Sequence, residues 1–247
     1  MFAKNKWQKF LSTVIDVIDK LKSDDVSDPF FRGHKNYKWK LEPTLARKKY
    51  DKWTENKLYY DFASLGGHLF PTNHNTWDIL FLMRHHGLPC RLLDWTQTFD
   101  VALYLAVTCD KINTDAAIWI LNPYELNKIT CGDRVIEFLD STYPAGYEKY
   151  FIDDRNEEYG KFPASVLAID SKPRNSRMVA QRGVFTLYRD FNSPMEEQFP
   201  EVVTKIIIPR EIQSKAKQFL QLAGLNEYTL FPELDGLARY LKRAHSL

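Results

Sequence analysis

At 247 residues, with 44% hydrophobic and 14% aromatic content, the chain is long enough to bury one large core. Its 34 Lys and Arg almost balance 32 Asp and Glu, leaving a formal charge of +2, so overall charge gives no support for nucleic-acid binding and only a local basic face would. The longest apolar runs, such as Val101 to Val107 and Ile206 to Ile208, fall far short of the roughly 20 residues that cross a bilayer, and the opening Met-Phe-Ala-Lys-Asn-Lys-Trp lacks the apolar stretch of a signal peptide, so a cytoplasmic protein without a membrane partner is expected.

Taken in chain order, Trp7, Phe10, Leu11, Val14, Ile15, Ile18 and Leu21 fall at three-and-four spacing and predict an amphipathic N-terminal helix within residues 1–25. Phe30-Phe31-Arg32-Gly33 reads as a short strand ending at a glycine turn. A basic and aromatic segment from His34 through Trp39 to Tyr50 follows, split by Pro43, and is expected to be a loop and a solvated helix face. Helices are predicted over Thr54 to Leu65, stopped by Gly66-Gly67, and from a Thr76 cap through His85 to Gly87. Cys90 to Thr96 alternates polar and apolar residues without a clear type. Asp100 to Cys109 reads as a buried helix capped by Thr96 or Thr98, and Ala117 to Leu121 as a central strand. Residues Lys128 to Tyr159 keep no period and read as an irregular insertion. Strands are expected at Ser165 to Ile169, Gly183 to Tyr188 and Val202 to Ile208, then a helix ended by Gly224 and a last one from about Leu230 to Leu247. The sum is an α+β fold in one domain, a core over about 26–245 with helices first and strands later, N-terminal helices packing on a mixed, mostly antiparallel sheet.

The chemistry concentrates in Arg84-His85-His86-Gly87-Leu88-Pro89-Cys90-Arg91-Leu92-Leu93-Asp94-Trp95, where two His, two Arg and one Asp share a short apolar stretch. Adjacent histidines on a helix point about 100° apart, so His85 and His86 do not share a metal, and no metal site is expected. A helix end at Gly87 can instead present either histidine to a cleft as a donor or general base, or leave both against the last helix carbonyls. Arg91 and Asp94, three apart, can pair with one another. Arg32, between phenylalanine and glycine, suits a carboxylate or phosphate, with Gly33 allowing close approach; its structural alternative is a pair with Asp94, Glu233 or Asp235. Arg177 to Phe185 repeats the pattern of polar groups, glycine and strand, and Gln181 can read a planar polar group or bond a nearby backbone. The scattered Cys90, Cys109 and Cys131 form no CxxC pair and fit a reducing compartment; none has a nucleophile signature.

The tripeptide Phe31-Arg32-Gly33, the run HHGLPCRLLDWT with its following ALYLA, the stretch RMVAQRGVF from Arg177, and LFPELDGLARYL resemble, in that order, the FRG domain family, which occurs in bacterial and phage proteins, sometimes near defence systems. That family usually has Gln where Arg84 stands, commonly Gln at His34 and Thr at Cys90. A weaker similarity links Phe31-Arg32-Gly33 to the aromatic-Arg-Gly strand of ADP-ribosyltransferases, although neither Ser-Thr-Ser nor Glu-x-Glu is present. This resemblance implies NAD as a substrate, with Arg32, Gly33, Arg91 and Arg177 holding it. His85, His86, Asp94, Gln181 and Glu233 then form the catalytic set. The competing expectations are a module for nucleic acid or another phosphorylated ligand, motivated by the Lys35 to Lys52 region, and a scaffold for a protein target. The sequence leaves the oligomeric state open.

Overall fold

A computed structural model describes residues 2–21, 28–108, 114–139, 146–151, 164–170, 175–191 and 193–245. Cys109 and the acidic run of 153–158 lie outside them. The elements are α1 (Phe2–Leu21), β1 (Phe30–His34), α2 (Thr44–Arg47), α3 (Lys52–Gly66), α4 (Thr76–His85), β2 (Leu92–Thr96), α5 (Phe99–Val107), β3 (Ala116–Leu121), α6 (Pro123–Cys131), β4 (Glu137–Phe138), α7 (Tyr147–Phe151), β5 (Val166–Asp170), α8 (Ser176–Gln181), β6 (Gly183–Tyr188), α9 (Met195–Gln198), β7 (Val203–Ile208), α10 (Arg210–Leu222), α11 (Glu227–Leu230) and α12 (Leu234–Ala244). All seven strands join one sheet in the order β4-β5-β6-β2-β1-β3-β7, antiparallel throughout except for the β4–β5 pair. The fold is therefore α+β with a mixed, mostly antiparallel sheet. Strands and helices interleave from β1 onward, which corrects the expectation of helices first and strands later.

Several boundaries moved for local reasons. Asn75, not Thr76, caps α4: its side chain accepts from the Asp78 amide while the Asp78 carboxylate accepts from the Asn75 amide. Within the block Cys90 to Thr96, Leu92–Thr96 form a strand that is buried except at Asp94, so no polar-apolar alternation marks it. The stretch before Gly183 is a short helix, α8, capped by Asn175, and the region read as an irregular insertion holds the end of α6 together with β4 and α7. In the C-terminal stretch Pro232 falls between α11 and α12, where one helix was expected.

Gly33 is the larger correction. It is no turn residue, since β1 continues to His34 and pairs through its whole length with β3. A Cβ at Gly33 would lie 2.0 Å from the Ala102 carbonyl oxygen of α5, so the bare backbone lets α5 rest on β1.

Register shows how the sheet is covered. Phe31 pairs with Thr96, and Thr96 with Gly183, so Phe31, Leu92, Asp94, Thr96 and Phe185 share one face. On this face two separate apolar clusters form. One packs α1, α5 and α10 over β1, β3 and β7 through Val14, Phe31, Leu103, Ile118, Ile206 and Ile212. The other packs α3, α4 and α7 over β2, β5 and β6 through Tyr59, Leu80, Leu92, Ile169, Phe185 and Leu187. The opposite face carries a third cluster that includes Phe30, Leu93, Trp95 and Trp119. Between the first two clusters, β1 and β2 share a single registered pair, Phe31 with Thr96. The strands part beyond it, and the cleft opens there.

Among the described residues no helix is long and apolar enough to cross a membrane.

Because the Ala102 carbonyl is backbone and cannot step aside, Gly33→Ala is expected to destabilise the protein by more than about 3 kcal/mol, read as the urea midpoint. A midpoint within error of the wild type would show that α5 does not depend on this contact.

Candidate functional site

The parting of β1 and β2 exposes polar side chains that a continuous ladder would cover. Arg32, on β1, sends its guanidinium into the gap, where Nη1 donates to the Asp94 carbonyl and lies 3.8 Å from the Asp94 carboxylate. From α4, Arg84 grips the same carboxylate: its Nε lies 2.9 and 2.8 Å from the two oxygens, Nη2 makes a further short contact, and Nη1 donates to Thr44 Oγ1 at 3.2 Å. Burial works to raise the Asp94 pKa, but Arg84 and then Arg32 outweigh it and hold the carboxyl below its usual range. Asp94 is thus a fixed anion shared by two arginines, which makes it a positioning group and a poor proton acceptor at neutral pH.

His34 holds Arg32 from the other side. Arg32 Nε donates to His34 Nε2 at 3.0 Å, while His34 Nδ1 lies 3.0 Å from Trp119 Nε1 and 3.3 Å from the Trp39 carbonyl. A neutral ring offers one lone pair to these two N–H donors. We assign it to Nε2, because the bond from a cationic guanidinium is the stronger, and Nδ1–H then donates to the Trp39 carbonyl. Burial, and next the adjacent Arg32 charge, push the His34 pKa down to about 2. Burial likewise brings Arg32 down to about 10, which leaves it cationic at neutral pH.

These groups line a cavity of about 560 Å³, within the usual range for small-ligand sites, together with Lys35, Trp39, Arg47, His85, His86, Arg177, Gln181 and Phe185. Of the expected site residues, Arg32, Gly33, His85, His86, Asp94, Arg177 and Gln181 therefore meet at one place. Five cations line it, Arg32, Lys35, Arg47, Arg84 and Arg177, against the single carboxylate of Asp94. Among the described residues, Lys35, Arg47 and Arg177 have no carboxylate partner within salt-bridge distance.

Arg91 does not join them, which corrects its place in the binding set and its expected pairing with Asp94. It is buried with Glu55 of α3, whose carboxylate takes Nε at 3.1 Å and Nη2 more closely, while Nη1 donates to the Tyr188 carbonyl at 2.9 Å. The guanidinium also lies 3.9 Å from the centre of the Phe151 ring. Sequence separation hid the partner: Glu55 lies 36 positions before Arg91. Glu233 is not part of the cavity wall either; its carboxylate sits 3.8 Å from His85 Nε2.

Gln181 ends α8, where its Nε2 donates to the Leu230 carbonyl at 3.0 Å. Arg177 lies 4.9 Å from the Phe231 ring centre. Both contacts tie the 230–233 segment to the cleft. Burial, followed by the Arg177 and His86 charges, lowers the His85 pKa, and its Nδ1 lies 3.4 Å from Asn175 Nδ2. His85 is consequently neutral near pH 7, whereas His86 is exposed at the α4 C-terminus beside Gly87, which takes a φ of 80°. Cys90 is fully buried, and burial pushes its thiol up to about 12, so it supplies no thiolate.

Sequence reading missed Lys35, Trp39 and Arg47 as cleft residues, because their segment has the composition of a solvated loop. It counted Arg84 without assigning it a role. The signal for Arg84 was its spacing ten residues before Asp94 across a helix end and a strand start, which reads as a pair only once α4 is known to lie over β2.

Among the described residues, no group of three or more His, Cys, Asp and Glu side chains gathers as metal ligands do. The family model of the FRG domain matches residues 27–115, a span that includes β1 through α5, ends just before β3 and contains Arg32, Arg84 and Asp94. No curated protein and no solved structure matches the chain.

His34 is neutral in the fold at pH values where an unfolded histidine, with an ordinary pKa near 6.5, takes up a proton. Its contribution to stability is therefore complete above about pH 6.5 and declines as pH falls toward the folded value. His34→Gln keeps an acceptor for Arg32 and removes the titration, so it is expected to flatten the loss between pH 6.5 and 4 by roughly 1.4 kcal/mol per pH unit. Urea unfolding at stepped pH measures this, and parallel slopes for the two proteins would refute the buried neutral histidine.

Proposed function

We propose, from the premise that this chain carries an FRG domain, that the cleft between β1 and β2 binds the diphosphate of a nucleotide, and that NAD is its substrate. The observation that carries this reading is the convergence of five cations on one cavity, three of them without a carboxylate partner among the described residues. Like charges brought this close repel, and the wall offers only one anion to offset them, so the free site is balanced by an anionic ligand. A pyrophosphate supplies charge and acceptor oxygens together.

The arrangement divides the roles. Arg32 and Arg84 are fixed by Asp94, so their guanidinium planes are set before a ligand arrives, and little side-chain entropy is lost on binding. Arg47, Lys35 and Arg177 are available to close around the phosphates. Trp39, Phe81 and Phe185 offer aromatic surface for the rings of the nucleotide. Neutral His85, with Glu233 at 3.8 Å, is the group suited to orient a ribose hydroxyl or accept a proton. Asp94 is already neutralised by two arginines, and Glu233, outside the cavity wall, acts on the site only through His85, whose protonated form it would stabilise. Gln181 has no charge for that task and acts as a bond to the 230–233 segment.

Calorimetric titration with NAD, followed by assay of the same mixtures for free nicotinamide, tests the reading. The wild type should bind NAD and release nicotinamide. Arg177→Ala, which removes a charge-assisted contact worth about 1.5–3 kcal/mol, should weaken binding by roughly 10- to 100-fold, with the melting temperature lowered only by the loss of its contact with Phe231. Binding without release would reduce the reading to a nucleotide-binding module. Equal affinity of wild type and variant would remove Arg177 from the site.

A further inference from the structure

The cationic wall of the cleft does not stop at its mouth. Lys35, Trp39 and Arg47 line the cavity, and the chain runs on from Arg47 through Lys48, Lys49 and Tyr50 to Trp53 at the start of α3, every one of these exposed. Segment 35–60 holds eight Lys and Arg against three carboxylates, a local excess larger than that of the whole chain. Glu55 is buried against Arg91, whereas Asp51, the α3 cap, stays an exposed anion and Lys40 is paired with Glu197 at 2.6 Å, so the excess rests on Arg47, Lys48, Lys49 and Lys57. The exposed surface is left basic.

Large aromatic rings interleave with these charges. Trp39 is 39% exposed, Tyr50 44%, Trp53 65% and Tyr60 54%. On α3, Trp53, Lys57 and Tyr60 stand at i, i+4 and i+7, so ring, cation and ring share one outward stripe. The apolar cluster under α3 is built from Tyr59, Leu58 and Phe62 on its other side, and Tyr60, which meets Tyr59 edge to face at 5.8 Å, keeps more than half of its surface exposed.

We propose that this surface binds single-stranded nucleic acid, laid from α3 toward the cleft mouth so that backbone phosphates meet Arg47, Lys48 and Lys57 and unpaired bases stack on Tyr50, Trp53 and Tyr60. Exposed rings set among cations form the platform that a strand with unstacked bases requires, and a duplex, with its bases already stacked, does not offer the same faces. A free nucleotide needs only the cleft; a surface continuing well beyond it matches a ligand whose phosphates repeat. This inference rests on the cleft reading only in treating the cleft as the place where the strand presents its phosphate or acceptor group, and the outer surface stands on its own residues.

The test uses the full chain and fluorescein-labelled RNA and DNA of mixed sequence, about 20 nucleotides long, single-stranded and annealed, read by anisotropy. The single strand should bind more tightly than its duplex, and affinity should fall steeply as salt rises from about 50 to about 200 mM. Trp53→Ala should weaken binding by about 10-fold or more, and the Lys48→Glu, Lys57→Glu double variant should do likewise while reducing the salt dependence. Neither change touches the cavity wall, so NAD binding should be unaltered in both. Single-strand affinity unchanged in both variants would overturn the inference, as would binding to anionic phospholipid vesicles with none to oligonucleotides. If oligonucleotides bind in this surface-dependent way while NAD does not bind at all, the nucleotide reading of the cleft fails and the surface stands.

Discussion

The Asp94 carboxylate lies where three elements must agree: β2 supplies it, α4 grips it through Arg84, and β1 reaches it through Arg32. Two cations on one anion leave a net positive charge, and that excess sits in a gap between strands, not in bulk water. Asp94 thereby holds the gap open in a defined shape. The Arg32 guanidinium also takes the Asp94 backbone carbonyl on the side where β1 and β2 have stopped pairing, and an unsatisfied acceptor there would otherwise favour closing the ladder. Behind it, His34 fixes the far side of the guanidinium and is kept neutral by burial and by Arg32 itself. The cleft is therefore part of how the sheet is built, with its cations oriented by the fold.

Two Arg–carboxylate pairs of similar composition differ in their surroundings. Arg91 and Glu55 are sealed in the α3–α4 cluster, with side chains 4% and 0% exposed, so their charges cancel locally and no ligand reaches them. They anchor α3 to the start of β2. Arg84 and Asp94 are 18% and 41% exposed and open onto the cavity, so their charges remain available to a ligand. Exposure and the count of partners separate a sealed pair from an accessible one, and residue type does not.

Much of this was legible in sequence where the argument was local. The α1 stripe, the β3 run and the strands β5 to β7 follow from apolar periodicity, and Arg32, His85 and Gln181 could be anticipated because each sits beside a glycine or a helix end, whereas Asp94, in the middle of β2, was marked only by the dense polar run around it. What could not be read depended on contacts between distant segments. Gly33 looks like a turn until α5 is placed on it; Arg91 looks like a ligand group until Glu55, on another helix, is brought against it. Lys35, Trp39 and Arg47 look like solvent-facing residues until β1 and β2 are seen to part beside them. The family model covers the two motif segments that hold Arg32, Arg84 and Asp94, and the division of labour among their charges came from geometry alone.

The central claim is that Arg32 and Arg84 are held in place before any ligand arrives and that the remaining cations close on a diphosphate. Side-chain nitrogen–proton NMR of the arginines during titration with inorganic pyrophosphate tests it most directly. The account predicts that the Arg32 and Arg84 Nε–H signals are already protected from exchange in the free protein, and that pyrophosphate shifts them while newly protecting Arg47 and Arg177. Rapid exchange of Arg32 and Arg84 in the free protein, or a pyrophosphate titration that leaves all four signals unmoved, would contradict it.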